Sequence, residues 1–384
     1  MSDNISGETR ALALPNLLRG AIEAARDEAD MLGRLPDHLV TELRDAGAFS
    51  LFTPAEYGGL EVSLSTALTV YEQFGRIDTS AAWVVWNANF GFTAAMLGEA
   101  GAAKVWTGGR EPVLANAGQP GQAVAVDGGY RLSGRWGIVS GIEAVEWFVP
   151  LGVVMDGEQP VMTEAGTPDV RLFHVRQDQL KIEHTWNVSG MGATGSHGVV
   201  VEDAFVPAEL TARIDAPLRL DRPTYRLNPI LLVFAGCTAV ALGTVEQAID
   251  ELVTLAPGKA SPFGGLLAEQ PHVQESLARH EAAVRAARLF LFDVARRIDE
   301  TAGQATVALH ADLHSAMAHA AVVGRDALVE MYRLGSSTSL YLGNALDRLY
   351  RDGMVALQHV NQAPEFFGGS GRVRLGLEPG LPLF

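Results

Sequence analysis

The apolar spacing along this chain changes twice, from helical to strand-like near Val113 and back to helical after Pro229. Few folds accept a β segment between two helical ones, because each texture must find a partner layer for its apolar face. In the opening segment Leu39, Val40, Leu43 and Ala46 fall on one helical face, and Gly47 stands where that helix should end. Thr53-Pro54 and Gly58-Gly59 then break the chain; a second helix is expected to carry Leu64, Leu68, Tyr71 and Phe74, and a third Trp83, Trp86 and Phe90.

In the β segment Val124 and Val126 alternate toward an Asp127-Gly128-Gly129 turn, and Tyr130 and Leu132 alternate on the return, which predicts a hairpin. Further strands are expected at 147–154, 170–175, 180–184 and 198–201, closing into a small antiparallel barrel or sandwich. Helices are expected over Leu231–Leu255, Gln270–Glu300, Ala308–Arg333 and Leu340–Asn361, each long enough for an antiparallel bundle. The fold class is therefore α+β, mostly α: an N-terminal helical domain (1–111), a central small β-barrel (112–215) and a C-terminal four-helix bundle (216–384).

With 384 residues, 48% of them apolar, the chain can bury a large core, and a net charge of −16 leaves no basic field for nucleic acid or an anionic membrane surface. Met1 to Arg10 lacks the basic and apolar regions of a secretory signal, so a cytoplasmic protein is expected. The most apolar stretch, Leu231 to Leu242, is too short to span a bilayer and runs on into Glu246 and Asp250, which predicts a buried helix. Cys237 is the one cysteine; no intrachain disulfide or CxxC motif can form, and its apolar flanks predict a buried, inert thiol.

Several chemistries lack their residues. No GxxxxGK[ST] occurs and no GxGxxG lies between a strand and a helix, which argues against P-loop and Rossmann sites. His310 and His314 lie four residues apart, but the run His-Ala-Asp-Leu-His lacks the glutamate of HExxH, so no metal site is expected. A serine hydrolase would need a GxSxG elbow, and there is none.

What remains is a pair of turns rich in Gly, Ser and Thr beside tryptophans: Ser133-Gly-Arg-Trp-Gly-Ile-Val-Ser-Gly141 and Trp186-Asn-Val-Ser-Gly-Met-Gly-Ala-Thr-Gly-Ser196. Hydroxyls and backbone N–H groups next to an aromatic wall suit a flat heteroaromatic cofactor, its ring stacked and its N and O atoms hydrogen-bonded. The same residues would also make ordinary barrel turns, and composition alone does not decide between the two.

With Trp147 completing the first pattern, SGRWxxxSGxxxxxW, these turns resemble the central-domain signatures of the two-component flavin monooxygenases, which share the acyl-CoA dehydrogenase fold. Leu51-Phe-Thr-Pro-Ala-Glu-Tyr-Gly-Gly59, Pro262-Phe-Gly-Gly-Leu-Leu-Ala-Glu-Gln-Pro271 and Leu346-Asp-Arg-Leu-Tyr-Arg-Asp352 agree, so the resemblance runs from Leu35 to Gly376. It implies an acyl-CoA dehydrogenase-like fold and a monooxygenase that uses reduced flavin (FMNH2 or FADH2) and O2, passing oxygen to a small organic substrate through a flavin C4a-(hydro)peroxide. A separate flavin reductase as partner and a homotetrameric assembly are implied with it. Carried over residue by residue, the resemblance implies that Trp136, Ser140, Gly141, Trp186, Ser189, Met191, Thr194, Ser196, Phe263 and Arg351 bind the flavin. Ser140 would sit near flavin N5, and His359, which follows Arg351-Asp352 and Gln358, would act as acid or base, with Trp86, Asn87 and Asn89 on the substrate side.

The dehydrogenase branch of this superfamily removes a thioester α-proton with a carboxylate; in its commonest form that residue lies eight before the arginine of the Arg-Asp pair, which is Gly343 here. Glycine accepts no proton. The Met-Arg-Gly-Thr-Gly-Ser that the family often has reads Met191-Gly-Ala-Thr-Gly-Ser196, the arginine that many dehydrogenases place three residues before Phe-Gly is Ala260 beside Lys259, and the glutamine of the dehydrogenase Gln-x-x-Gly-Gly turn is Tyr332. These departures favour flavin delivered reduced over permanently bound FAD. The alternatives are an FAD-dependent acyl-CoA dehydrogenase with a relocated base, and a non-catalytic helical-bundle protein that kept the scaffold.

Overall fold

The computed structural model describes residues 6–227, 229–381 and 384. Helices α1 (Gly7–Leu32), α2 (Asp37–Ala46), α3 (Leu64–Ile77), α4 (Thr79–Ala88) and α5 (Glu99–Val105) come first. Nine strands follow: β1 (Leu114–Val126), β2 (Gly129–Val139), β3 (Trp147–Asp156), β4 (Gln159–Pro160), β5 (Val170–Phe173), β6 (Val175–Arg176), β7 (Lys181–Glu183), β8 (His197–Pro207) and β9 (Thr211–Arg213). The chain closes with α6 (Pro223–Arg226), α7 (Pro229–Leu255), α8 (Pro271–Glu300), α9 (Val307–Gly335), α10 (Ala345–Ala356) and α11 (Glu365–Arg374). It divides into two compact units, one holding the residues up to Val62, Val84–Asn187 and Gly192–Arg226, the other Ser63–Trp83, Val188–Met191 and everything from Leu227 on.

In the first unit α1 starts on Ser6, whose hydroxyl accepts the Thr9 N–H, and buries Leu14, Leu18 and Ile22. Helix α2 ends where the sequence predicts, on Gly47 with φ 94°, a left-handed conformation that costs glycine nothing. The sheet runs β7-β8-β2-β1-β3-β5-β9, with β4 and β6 also on β3. The expected hairpin is present, pairing Val126 with Gly129 and Ala125 with Tyr130. One pairing corrects the purely antiparallel expectation: β1 and β3 run parallel, because β2 returns the chain to the end where β1 begins and the short link 140–146 starts β3 there, on the other side of β1. The single strand expected at 170–175 is two, since the His174 N–H leaves the ladder for the Leu210 carbonyl and its buried ring meets the Thr93 hydroxyl at 3.0 Å.

In the second unit α3 and α7 cross backbone on backbone. A Cβ on Gly75 would stand 2.3 Å from the Val240 carbonyl oxygen, and one on Gly243 would stand 2.0 Å from that of Glu72. The buried Glu72 carboxylate takes a bidentate pair from Arg288 of α8 at 2.6 and 2.7 Å. Asp299 near the end of α8 caps α3, accepting the Leu64 and Ser65 N–H groups at 2.9 Å each. Residues 231–258 are together long and apolar enough to cross a membrane, yet 78% of an apolar 18-residue window within them is buried inside the protein, as in a core helix. The helix expected over 340–361 is shorter than the spacing suggests. Asn344 starts it by accepting the Leu346 N–H at 3.0 Å, and it ends by Leu357, so His359 lies beyond the helix as the cap of a 3-10 turn over Val360–Gln362.

Candidate active site

Strands β2 and β8 pair up to Val139 and His197, which sets the residues just outside the ladder, Ser140 and Ser196, side by side despite their distance in sequence. Their hydroxyls meet at 2.8 Å, and Thr194 adds a third hydroxyl 2.7 Å from Ser196. All three are buried. A hydroxyl both donates and accepts, so such a row polarises along its length and presents a hydrogen or a lone pair at its end. The backbone is tied as well: Gly141, left-handed at φ 73°, donates its N–H to the Thr194 carbonyl at 2.8 Å. Gly141, Thr194 and Gly195 line a narrow cavity with Arg34, Val84 and Glu143, of which Arg34 and Glu143 carry no local motif in sequence.

Asn87 donates to the Ser140 carbonyl at 2.8 Å, and its own side-chain oxygen accepts from Asn116 at 3.0 Å. Its amide therefore holds Ser140 in place. Asn89 is likewise engaged with the scaffold, accepting from Leu51 N–H and donating to the Ala48 and Val85 carbonyls, all at 2.8 Å. Trp86 is buried on α4. Trp136 belongs to the core of the sheet: it donates to the Gln119 carbonyl at 2.6 Å, lies edge-on to Phe148, and sits over Gly121 and Gly134. Trp186 is half-buried, with its backbone N–H donating to His197 Nδ1 at 3.2 Å.

Glu143, His184 and His197 form the one group of three potential metal ligands brought together among the described residues. The Trp186 N–H occupies Nδ1 of His197 and so puts that ring's proton on Nε2, 3.5 Å from Glu143, where a metal would need a lone pair. The arrangement is that of a hydrogen-bonded pair. His314 of α9 is stacked between Phe366 and Phe384 with neither ring nitrogen partnered among the described residues, and burial pulls its pKa down to about 4.

In the second unit the Arg351-Asp352 pair works on the segment 189–191. Arg351 donates to the Asp347 carboxylate at 2.9 Å and to the Ser189 carbonyl at 2.8 Å, while the Asp352 carboxylate accepts the Met191 N–H at 2.6 Å. Gly190 lies flat against the Arg351 carbonyl, where a Cβ would come within 2.2 Å. Burial lifts the Asp352 pKa to about 6. Asp352 was not singled out from the sequence, although its neighbour Arg351 was.

His359 is half-buried against the edge of Trp83, ring centroids 5.6 Å apart, and loss of solvent around its ring lowers its pKa to about 4. Its Nδ1 accepts the Asn361 N–H at 3.3 Å and lies 3.9 Å from Cys237 Sγ. The Cys237 thiol is buried, as expected, and pushed up to about 12. Gly343, at the dehydrogenase base position, lies in an exposed turn; Phe263 is 84% exposed on a Gly-rich turn; Tyr332 stacks on Tyr350; and Lys259 is bonded to Thr338.

Two family profiles match this chain: acyl-CoA dehydrogenase, N-terminal domain, over residues 13–105, and acyl-CoA dehydrogenase, C-terminal domain, over residues 235–364. An indole-3-acetate monooxygenase of Pseudomonas putida is 29% identical over 377 residues, covering 96% of this chain and 94% of its own. A pigment production hydroxylase of Rhodococcus sp. is 30% identical over 348 residues, covering 84% and 85%. Among solved structures, XiaF from Streptomyces sp., in complex with FADH2 and glycerol, superposes with a TM-score of 0.86 at 25% identity, over 98% of this chain and 97% of that one.

Proposed function

This chain belongs to the acyl-CoA dehydrogenase superfamily, in its flavin-dependent monooxygenase branch, and on that premise we propose that it is the oxygenase component of a two-component system. In this reading it takes FMNH2 or FADH2 from a separate reductase in the cytoplasm and oxygenates a small organic substrate, of the aromatic kind that an indole-3-acetate monooxygenase accepts. The observation that carries the reading is the buried row Ser140, Ser196, Thr194 at the end of β2. Reduced flavin, when bound, supplies the activation of O2.

The residues fit such a ring: three hydroxyls to meet its N and O atoms, two left-handed glycines, Gly141 and Gly195, that let backbone approach closely, and the half-buried Trp186 as a wall. Asn87 orients Ser140 through its carbonyl, and the Arg351-Asp352 pair steadies 189–191. His359, against Trp83 and beside Asn361, supplies a polar group, and the burial of the hydroxyl row keeps water from the reaction. A homotetramer is part of the reading, supported by Phe263, Leu340, Tyr341 and Leu342, which stand 84%, 66%, 72% and 79% exposed on one chain.

Anaerobic titration with FMNH2 and FADH2, then mixing with O2, tests it. Reduced flavin should bind, its reoxidation should be slower than in free solution, and Ser140→Ala should shorten that delay. Oxidised FAD that co-purifies and is bleached by acyl-CoAs would install the dehydrogenase reading instead.

A further inference from the structure

Just past β7 the chain is tied twice to the start of β8. Thr185 accepts the Gly198 N–H on its hydroxyl at 3.0 Å, and the Trp186 backbone N–H donates to His197 Nδ1 at 3.2 Å. A backbone N–H only donates, so Nδ1 holds the lone pair of this imidazole and Nε2 its hydrogen. Nε2 lies 3.5 Å from Glu143 Oε2. Glu143 sits on the 3-10 turn Ile142–Ala144 that follows Ser140 and Gly141, and its own carbonyl is held by the Gln177 amide at 3.0 Å. His197 pairs with Val139 across β2 and β8 and directly follows Ser196. One ring therefore joins the backbone of Trp186, the turn after Ser140 and the strand that carries Ser196.

We propose that His197 and Glu143 are positioning residues of the flavin site: neutral His197 fixes the Trp186 wall to the hydroxyl row, and a proton on its Nδ1 releases that wall. The inference rests on the oxygenase reading above and deepens it. An imidazolium carries hydrogen on both nitrogens, so Nδ1–H would face the Trp186 N–H and the turn must open. The charged and titratable groups around the ring are few. Glu143 favours the imidazolium; His184, edge-on with ring centroids 4.7 Å apart, opposes it. Glu183 of β7, beside Gly198, is paired with Arg135, and Arg34, which lines the cavity with Glu143, is paired with Asp37 at 2.6 Å. Burial weighs most and holds the His197 pKa below the ordinary histidine value, so the tie is closed at neutral pH.

Two readouts test this, one of them without flavin. In protein labelled with 15N-tryptophan, the Trp186 amide signal, assigned by its loss in Trp186→Phe, should move as the pH is lowered over roughly pH 8 to 5. It should stay still in His197→Asn, whose side-chain oxygen stands where Nδ1 does and takes up no proton. The second readout is anaerobic titration with FADH2. Reduced flavin has its own ionisation in this range, so the parent is compared with His197→Asn: the two should coincide near pH 8, and the parent should bind more weakly by about threefold or more near pH 5. Glu143→Gln keeps an oxygen for Nε2–H but removes the charge that favours the imidazolium, so its loss of binding should set in at lower pH than the parent's. His197→Leu should bind about tenfold more weakly at every pH; should it not fold, the other two variants decide. A Trp186 signal in the parent that ignores pH, coincident parent and His197→Asn profiles, an unmoved Glu143→Gln profile, or a folded His197→Leu that binds like the parent overturns the proposal and leaves the oxygenase reading intact. If the parent binds neither FMNH2 nor FADH2 at any pH, the oxygenase reading falls, and this inference with it.

Discussion

The Asp352 carboxylate accepts the Met191 N–H at 2.6 Å while its neighbour Arg351 holds the Ser189 carbonyl at 2.8 Å, so two adjacent residues of α10 grip a three-residue segment at both ends. Met191 needs that grip, because it is a non-glycine residue at φ 56°, a conformation that side chains disfavour.

Asp352→Ala should therefore release the segment, costing about 2 kcal/mol of stability for a lost charge-assisted bond and weakening reduced-flavin binding about tenfold. Asp352→Asn keeps the accepting oxygen and should do much less of both. Thermal melts and anaerobic FADH2 titrations measure the pair, and equal damage from the two substitutions would mean that the charge, not the acceptor, matters.

Glu111 accepts the Thr53 hydroxyl at 2.7 Å and the Trp106 N–H at 3.3 Å on one oxygen, while the other has no partner among the described residues. Burial lifts its pKa to about 8. The folded protein then keeps a proton that the unfolded chain releases near the ordinary carboxylate pKa, so stability falls as pH rises from about 4.5 to 8. Glu111→Gln should flatten this slope and leave the variant more stable at alkaline pH by a few kcal/mol, roughly. A denaturant series across that window is the check.

His314, His359 and His174 share the opposite behaviour, each lowered to about 4 by burial. The unfolded chain takes up their protons first, so the stability present above pH 6.5, roughly, is lost as pH falls toward 4. His314→Leu removes one of the three together with two unpartnered ring nitrogens. It should stabilise the protein by about 1–3 kcal/mol at neutral pH and more in acid. A lower melting temperature at both pH values would show that the stack with Phe366 and Phe384 outweighs those orphaned atoms.

Gly243→Ala should cost about 2–3 kcal/mol, because its methyl would overlap the Glu72 carbonyl and force α3 and α7 apart. Gly20→Ala, where a Cβ meets nothing within 4 Å on α1, should instead be neutral or mildly stabilising. Chemical denaturation of both separates a packing demand from a general intolerance of alanine.

The order of helices and strands was legible because periods of 3.6 and 2 are local, and Gly47 and the turn at 127–129 end their elements by local conformation. The parallel pairing of β1 with β3 was not, since strand direction leaves no mark on a period of two. Nor was the break at Gly343-Asn344, because apolar residues on either side keep a helical beat that only the Asn344 cap interrupts. Within the candidate site, the hydroxyls of Ser140, Thr194 and Ser196 stood out by composition. Asn116 behind Asn87, Asp352 on Met191 and Asn361 on His359 did not, because a hydrogen bond across the fold has no spacing to betray it.

The lone thiol on α7, sealed and held in its protonated form, also makes this chain unusually easy to instrument. A cysteine introduced anywhere on its exterior would be the one a labelling reagent finds first, without any residue being removed beforehand. A label placed there would report on its own surroundings alone, because the sealed thiol stays silent.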